Sequence, residues 1–113
     1  MWMTVGTKRF AVTLEDNPAA RAFVQLLPAT IDMTELNGNE KYGRLPRSLP
    51  TDPVQPGTIR TGDVLLYGND TLVVFYATFR SSYSYTRIGR VAETAGLVQA
   101  LGPGSQRVAF TVP

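Results

Sequence analysis

The sequence contains no histidine and no cysteine. Without cysteine there is no disulfide, no thiolate metal ligand and no thiol nucleophile. Without histidine the commonest metal ligand and the commonest general base are gone as well. The two absences exclude Ser-His-Asp triads, Cys-His dyads and ordinary zinc sites, so no metal and no cofactor are expected. No run approaches the roughly 20 apolar residues that span a bilayer. No basic segment followed by an apolar core marks a secretory leader. A cytoplasmic location without membrane association is the expectation. Excess charge is also scarce, since 11 Lys and Arg against 9 Asp and Glu leave +2 at neutral pH. The pI near 9.2 reflects how little titrates between the carboxylates and the amines. A nucleic-acid partner is therefore not expected.

What is present is ordinary globular material. The chain has 113 residues, 43% of them hydrophobic and 18% charged. That suits one domain, residues 1–113, with one real core.

The first two strands can be read down to their register. Residues 1–5 and 8–14 flank Gly6-Thr7, and a glycine first in a two-residue loop suits a type II′ hairpin turn. Val5 then pairs with Lys8, Met3 with Phe10 and Met1 with Val12, which puts the apolar residues on one face. Asn17 followed by Pro18 opens a helix of about ten residues. Ala19, Ala22, Phe23, Leu26 and Leu27 form its apolar stripe, and Pro28 stops it. Such a helix can plug one end of a barrel.

Alternation predicts a strand over 29–36, then an Asn37-Gly38 turn and a short strand near 40–45. Four prolines make residues 46–57 a long loop rather than a ladder. Residues 64–67 form a strand. Residues 72–77 are apolar at every position, so that strand is covered on both faces. Residues 81–85 read as a polar, aromatic loop. Residues 86–91 follow as a strand whose Gly89 permits close backbone approach. A short helix near 95–101 and a strand over 106–112 complete the chain. About seven or eight short strands with two short helices argue for a mainly β barrel or sandwich.

Several blocks are similar to one known family. They are Asp16-Asn17-Pro18-Ala19-Ala20-Arg21-Ala22-Phe23, Asn37-Gly38-Asn39-Glu40-Lys41, Leu45-Pro46-Arg47, Gly62-Asp63-Val64, Val74-Phe75-Tyr76 and Arg87-Ile88-Gly89-Arg90. In this order, and over nearly the whole chain, they resemble the small bacterial proteins described as cyclophilin-like. The resemblance implies a closed cyclophilin-like β-barrel, a trimmed relative of the peptidyl-prolyl isomerase fold. It implies the scaffold and not the activity, because fold does not fix function. The Phe-His-Arg segment of true cyclophilins is absent here. Val74-Phe75-Tyr76 resembles their pocket strand without its Gln.

Candidate site residues follow from side-chain chemistry. Phe75, Tyr76, Phe79, Tyr83 and Tyr85 concentrate aromatic rings in eleven positions. Rings give apolar walls, and an Arg gives a fixed fork of donors. Tyr42 and Arg44 share a strand face within Lys41-Tyr42-Gly43-Arg44. That segment reads equally as a solvated edge whose charges discourage pairing. Asp63 reads as a turn residue, and Glu40, Asp52 and Asp70 as loop acids without chemistry. The expectation is a binding module for a peptide segment or small organic anion, lined by Phe75, Tyr76, Tyr83, Tyr85, Arg44, Arg87 and Tyr42. The alternatives are a weak prolyl isomerase, which needs only an Arg and an apolar pocket, and an accessory protein-interaction domain.

Overall fold

A computed structural model describes residues 1–113. Ten strands and two helices run in the order β1 (Trp2–Val5), β2 (Lys8–Leu14), α1 (Pro18–Val24), β3 (Ala29–Leu36), β4 (Glu40–Arg44), β5 (Gly57–Ile59), β6 (Asp63–Tyr67), β7 (Thr71–Phe75), β8 (Phe79–Ser81), β9 (Thr86–Val91), α2 (Leu97–Leu101) and β10 (Gln106–Thr111). Eight strands close into an antiparallel barrel in the order β1-β10-β3-β4-β7-β6-β9-β2, while β5 and β8 form a separate two-stranded sheet. The mainly β barrel with two short helices expected from the sequence is what the chain forms. No helix is long and apolar enough to cross a membrane.

The first hairpin has the expected register, with Val5 opposite Lys8 and Met3 opposite Phe10. Gly6 lies at φ 59° and Thr7 is not left-handed. That is the signature of a type II′ turn, whose first loop position suits glycine. Asn17 caps α1 by accepting a hydrogen bond from the Ala20 amide at 2.8 Å. The helix stops at Val24, shorter than the ten residues expected, and residues 25–27 continue as turns. Phe23 still plugs the barrel, meeting Phe110 edge-on with ring centroids 5.4 Å apart.

The barrel interior is full. Met3, Phe23, Met33, Leu72, Val74, Ile88, Val108 and Phe110 are buried there in one cluster. Eight strands enclose a space just wide enough for side chains. Gly89 lets β2 approach β9, since a Cβ there would sit 2.5 Å from the Thr13 carbonyl oxygen.

A second, smaller cluster lies outside the barrel wall. Ile59, Leu65, Val73, Phe75 and Tyr85 pack there with Tyr42 and Phe79. The doubly covered strand is thus β7, with Leu72 and Val74 inward and Val73 and Phe75 outward. Its outer cover includes the β5–β8 sheet, where Ile59 pairs with Phe79.

Candidate functional site

With the interior filled, a ligand has to bind outside the barrel or at its ends. Strand alternation decides what the outside offers. On β4, Glu40 and Tyr42 point outward opposite Phe75 and Val73 of β7. On β6, Leu65 sits opposite Val73, and Tyr67 shares its outward face. Residues 82–85 bring Tyr83 and Tyr85 across these strands. Val54 holds Tyr85 through two 2.9 Å backbone hydrogen bonds, so the proline-rich loop is pinned to the same region.

The result is a cleft of about 310 Å³ lined by Leu36, Asn37, Glu40, Tyr42, Tyr67, Val73, Tyr83 and Tyr85. A second hollow of about 650 Å³ shares Tyr67, Tyr83 and Tyr85 and continues to Thr51 and Pro53. The rings brace one another, with Tyr67 5.9 Å from Tyr85 and 6.2 Å from Tyr83 between centroids. Behind them Phe75 meets Tyr85 edge-on at 5.6 Å. Offset and edge-on contacts of this kind hold aromatic walls rigid.

Three of the expected residues, Tyr42, Tyr83 and Tyr85, therefore meet in one cleft. Phe75 lies sealed beneath it, supporting Tyr85 without reaching the surface. Tyr76 faces the other way, into the barrel end, where its hydroxyl donates to Glu35 at 2.6 Å. Arg44 is exposed and reaches Asp70 at 3.5 Å. Arg87 lines a different cleft of about 450 Å³ with Thr13, Glu15, Asp63 and Arg90. No Arg lines the tyrosine cleft, so the apolar pocket and the guanidinium that an isomerase would need are not brought together there.

Two readings of charged residues need correction. The segment around Lys41 is not a solvated edge, because β4 is paired on both sides, with β3 and β7. Lys41 is 0% exposed. Its ammonium donates to Glu35 at 3.0 Å and to the carbonyls of Gly102 and Gly104 at 2.6 Å each. Glu40 is not a loop acid but opens a barrel strand and is only 8% exposed. Asp63 opens β6 and closes the turn before it. It accepts from the Arg60 amide at 2.9 Å and also pairs with Arg90 at 3.0 Å.

The carboxylates differ in protonation tendency. Burial alone would raise Glu35, but hydrogen bonds from Tyr76, Lys41 and the Gly38 amide outweigh it and hold the group below the usual range. Burial pushes Glu40 above that range, and the neighbouring Glu35 charge adds to the effect. Burial also raises Tyr76, together with the Glu35 hydrogen bond, to about 12. Tyr85 is raised by burial and then by Glu40.

Leu36, Asn37, Glu40, Tyr67 and Val73 are the lining residues that side-chain chemistry alone missed. The signal for two of them was available. Alternation from Tyr42 puts Glu40 on the outward face, and alternation from Leu65 does the same for Tyr67. No curated protein and no solved structure matches the chain. A family model described as the Cyclophilin-like family matches residues 3–112. With the sequence blocks and the closed eight-stranded barrel, this match means that the chain belongs to the cyclophilin-like family.

Proposed function

We propose that the protein is a binding module that takes a peptide segment in the tyrosine cleft. The supporting observation is where exposed apolar surface gathers. Leu36, Tyr67 and Tyr83, at 41%, 50% and 62% exposure, are three of the six exposed large hydrophobics, and all line this cleft. Scattered exposed apolar residues need no explanation, but a cluster around a concavity marks an interaction surface. Tyrosine suits such a surface. It offers a large ring and a polar tip for little rotamer entropy.

A peptide fits better than the small organic anion that was the other half of the expectation. The one ionisable lining group besides the tyrosines is Glu40, which repels an anion. The adjoining hollow toward Thr51 and Pro53 gives an extended segment room to continue. An anion is better matched to the cleft of Arg87 and Arg90, although Glu15 and Asp63 offset those cations.

The test is protein-observed NMR with a library of short capped peptides. Binding should shift amides of Leu36, Tyr42, Tyr67, Tyr83 and Tyr85 as one group. Shifts confined to the Arg87–Arg90 cleft, or to neither cleft, would refute the reading.

A further inference from the structure

The floor of the tyrosine cleft holds a charge that nothing in the protein balances. Glu40 is 8% exposed and lines the cleft. Every other acid on a barrel strand has a cationic partner within 4 Å: Asp32 with Arg107, Glu35 with Lys41 and Asp63 with Arg90. Glu40 has no salt-bridge partner and receives no hydrogen bond. Its neighbour in sequence cannot help, because Lys41 points to the inner face and spends its three donors on Glu35, Gly102 and Gly104. The Glu40 carboxylate oxygens open to the cleft, since Asn39 Oδ1 is the one fully enclosed side-chain polar atom without a partner. An unpaired charge on a mostly buried side chain gains from an incoming cation.

Around this carboxylate stand Tyr42, Tyr67, Tyr83 and Tyr85. Tyrosine faces carry negative quadrupole potential and attract cations within about 6 Å of the ring centroid. An unpaired carboxylate in a cleft lined by four tyrosines complements an organic cation with an apolar stem. The stem packs on the rings, and the charged head meets Glu40.

We infer that the tyrosine cleft recognises a basic side chain of the bound segment, its ammonium or guanidinium group paired with Glu40 among the four tyrosines. This rests on the proposal that the cleft binds a peptide and adds which residue type it reads. The electrostatics agree. Burial and the nearby Glu35 charge both raise Glu40, and a bound cation opposes that rise. Protonating Glu40 removes the attraction, so affinity for the cation falls as pH drops through the raised value.

Three probes separate the possibilities: N-acetyl-lysine amide, its neutral analogue lacking the terminal amine, N-acetyl-norleucine amide, and tetramethylammonium chloride. Each is titrated by NMR into the wild type, Glu40→Gln and Tyr83→Ala. Gln keeps the shape of Glu40 and removes a desolvated charge, and Tyr83 is mostly exposed, so both variants should fold. The expected result is saturable shifts at the cleft tyrosines with the lysine amide, and about tenfold weaker binding of it to Glu40→Gln. A tenfold loss corresponds to about 1.4 kcal/mol. The norleucine amide should bind the wild type about tenfold more weakly than the lysine amide, and Glu40→Gln should not weaken it further. Tetramethylammonium reports whether the cation suffices without a peptide backbone. Its binding at the same residues supports a cation cage, and shifts from it alone would overturn a peptide side chain as the ligand. Equal binding of lysine and norleucine amides, unchanged in Glu40→Gln, would overturn the inference while leaving a peptide-binding cleft standing. No shift at the tyrosines with any probe or with the peptide library would remove both.

Discussion

Lys41 shows what a single residue can hide. In the sequence it stands beside Tyr42, Gly43 and Arg44, a run that reads as solvated. In the fold its ammonium is buried and satisfied by one carboxylate and two carbonyls. The carboxylate partner was legible only as a near neighbour: a two-residue Asn37-Gly38 turn would set Glu35 opposite Glu40, whereas the loop spans residues 37–39 and sets it opposite Lys41. The carbonyls were not. They belong to Gly102 and Gly104, more than 60 positions away, and backbone oxygens leave no mark in a sequence. Tyr76 completes the group by donating to Glu35, with the Lys41 ammonium 5.4 Å from its ring centroid. Tyr76→Phe should therefore lower stability by about 1–2 kcal/mol near neutral pH, the range for a hydrogen bond to a charged group that is only partly buried. The pH dependence has a definite sign. The folded-state value of Tyr76, about 12, lies above the ordinary 10. Its stabilising contribution is present below about pH 10 and is lost as pH rises toward 12. Denaturant titrations of wild type and Tyr76→Phe should show a stability gap that closes over that window. A gap that stays constant to pH 12 would contradict the assignment.

At the scale of elements, the strands with strong local signals were readable and those held by distant partners were not. The first hairpin, β3 and β9 carry their own turn chemistry or alternation, and their registers or bounds follow the sequence closely. β5 and β8 are three residues each and pair across 20 or more positions, so no local pattern marks them. Their presence turns the outer face of β7 into a second packed layer and leaves the tyrosine cleft at its border. Gly89 was legible as a point of close approach, and the fold gives the reason: a Cβ would press on the Thr13 carbonyl and on Val12 Cγ1 at 3.2 Å. Gly89→Ala should cost about 1–3 kcal/mol, as overpacking does. The measurement is the midpoint of chemical denaturation, and an unchanged midpoint would mean that β2 and β9 are less tightly apposed than described.

The whole molecule is a barrel whose interior belongs to its own side chains, so the proposed recognition falls to the outside. The sequence showed a concentration of aromatic residues, but it missed Tyr67 and could not sort the rings by side of the wall. Phe75 and Tyr76 are adjacent, yet one supports the cleft from beneath and the other serves the opposite face. Arg44 and Arg87 were grouped with the tyrosines by chemistry alone; Arg44 reaches Asp70 at the end of β4 and Arg87 lines the other cleft. The central claim is that ligands bind at the outward tyrosine face. The most direct measurement is a pair of ¹H–¹⁵N titrations with the same short-peptide library, one on the wild type and one on a Tyr67→Ala/Tyr83→Ala double variant. Both residues are half or more exposed, so the variant should keep the wild-type pattern of amide shifts away from the cleft. The account predicts clustered, saturable shifts at Leu36, Tyr42 and Tyr85 in the wild type and their loss in the folded variant. Binding that persists undiminished in the variant, or that maps to another face of the barrel, would contradict it.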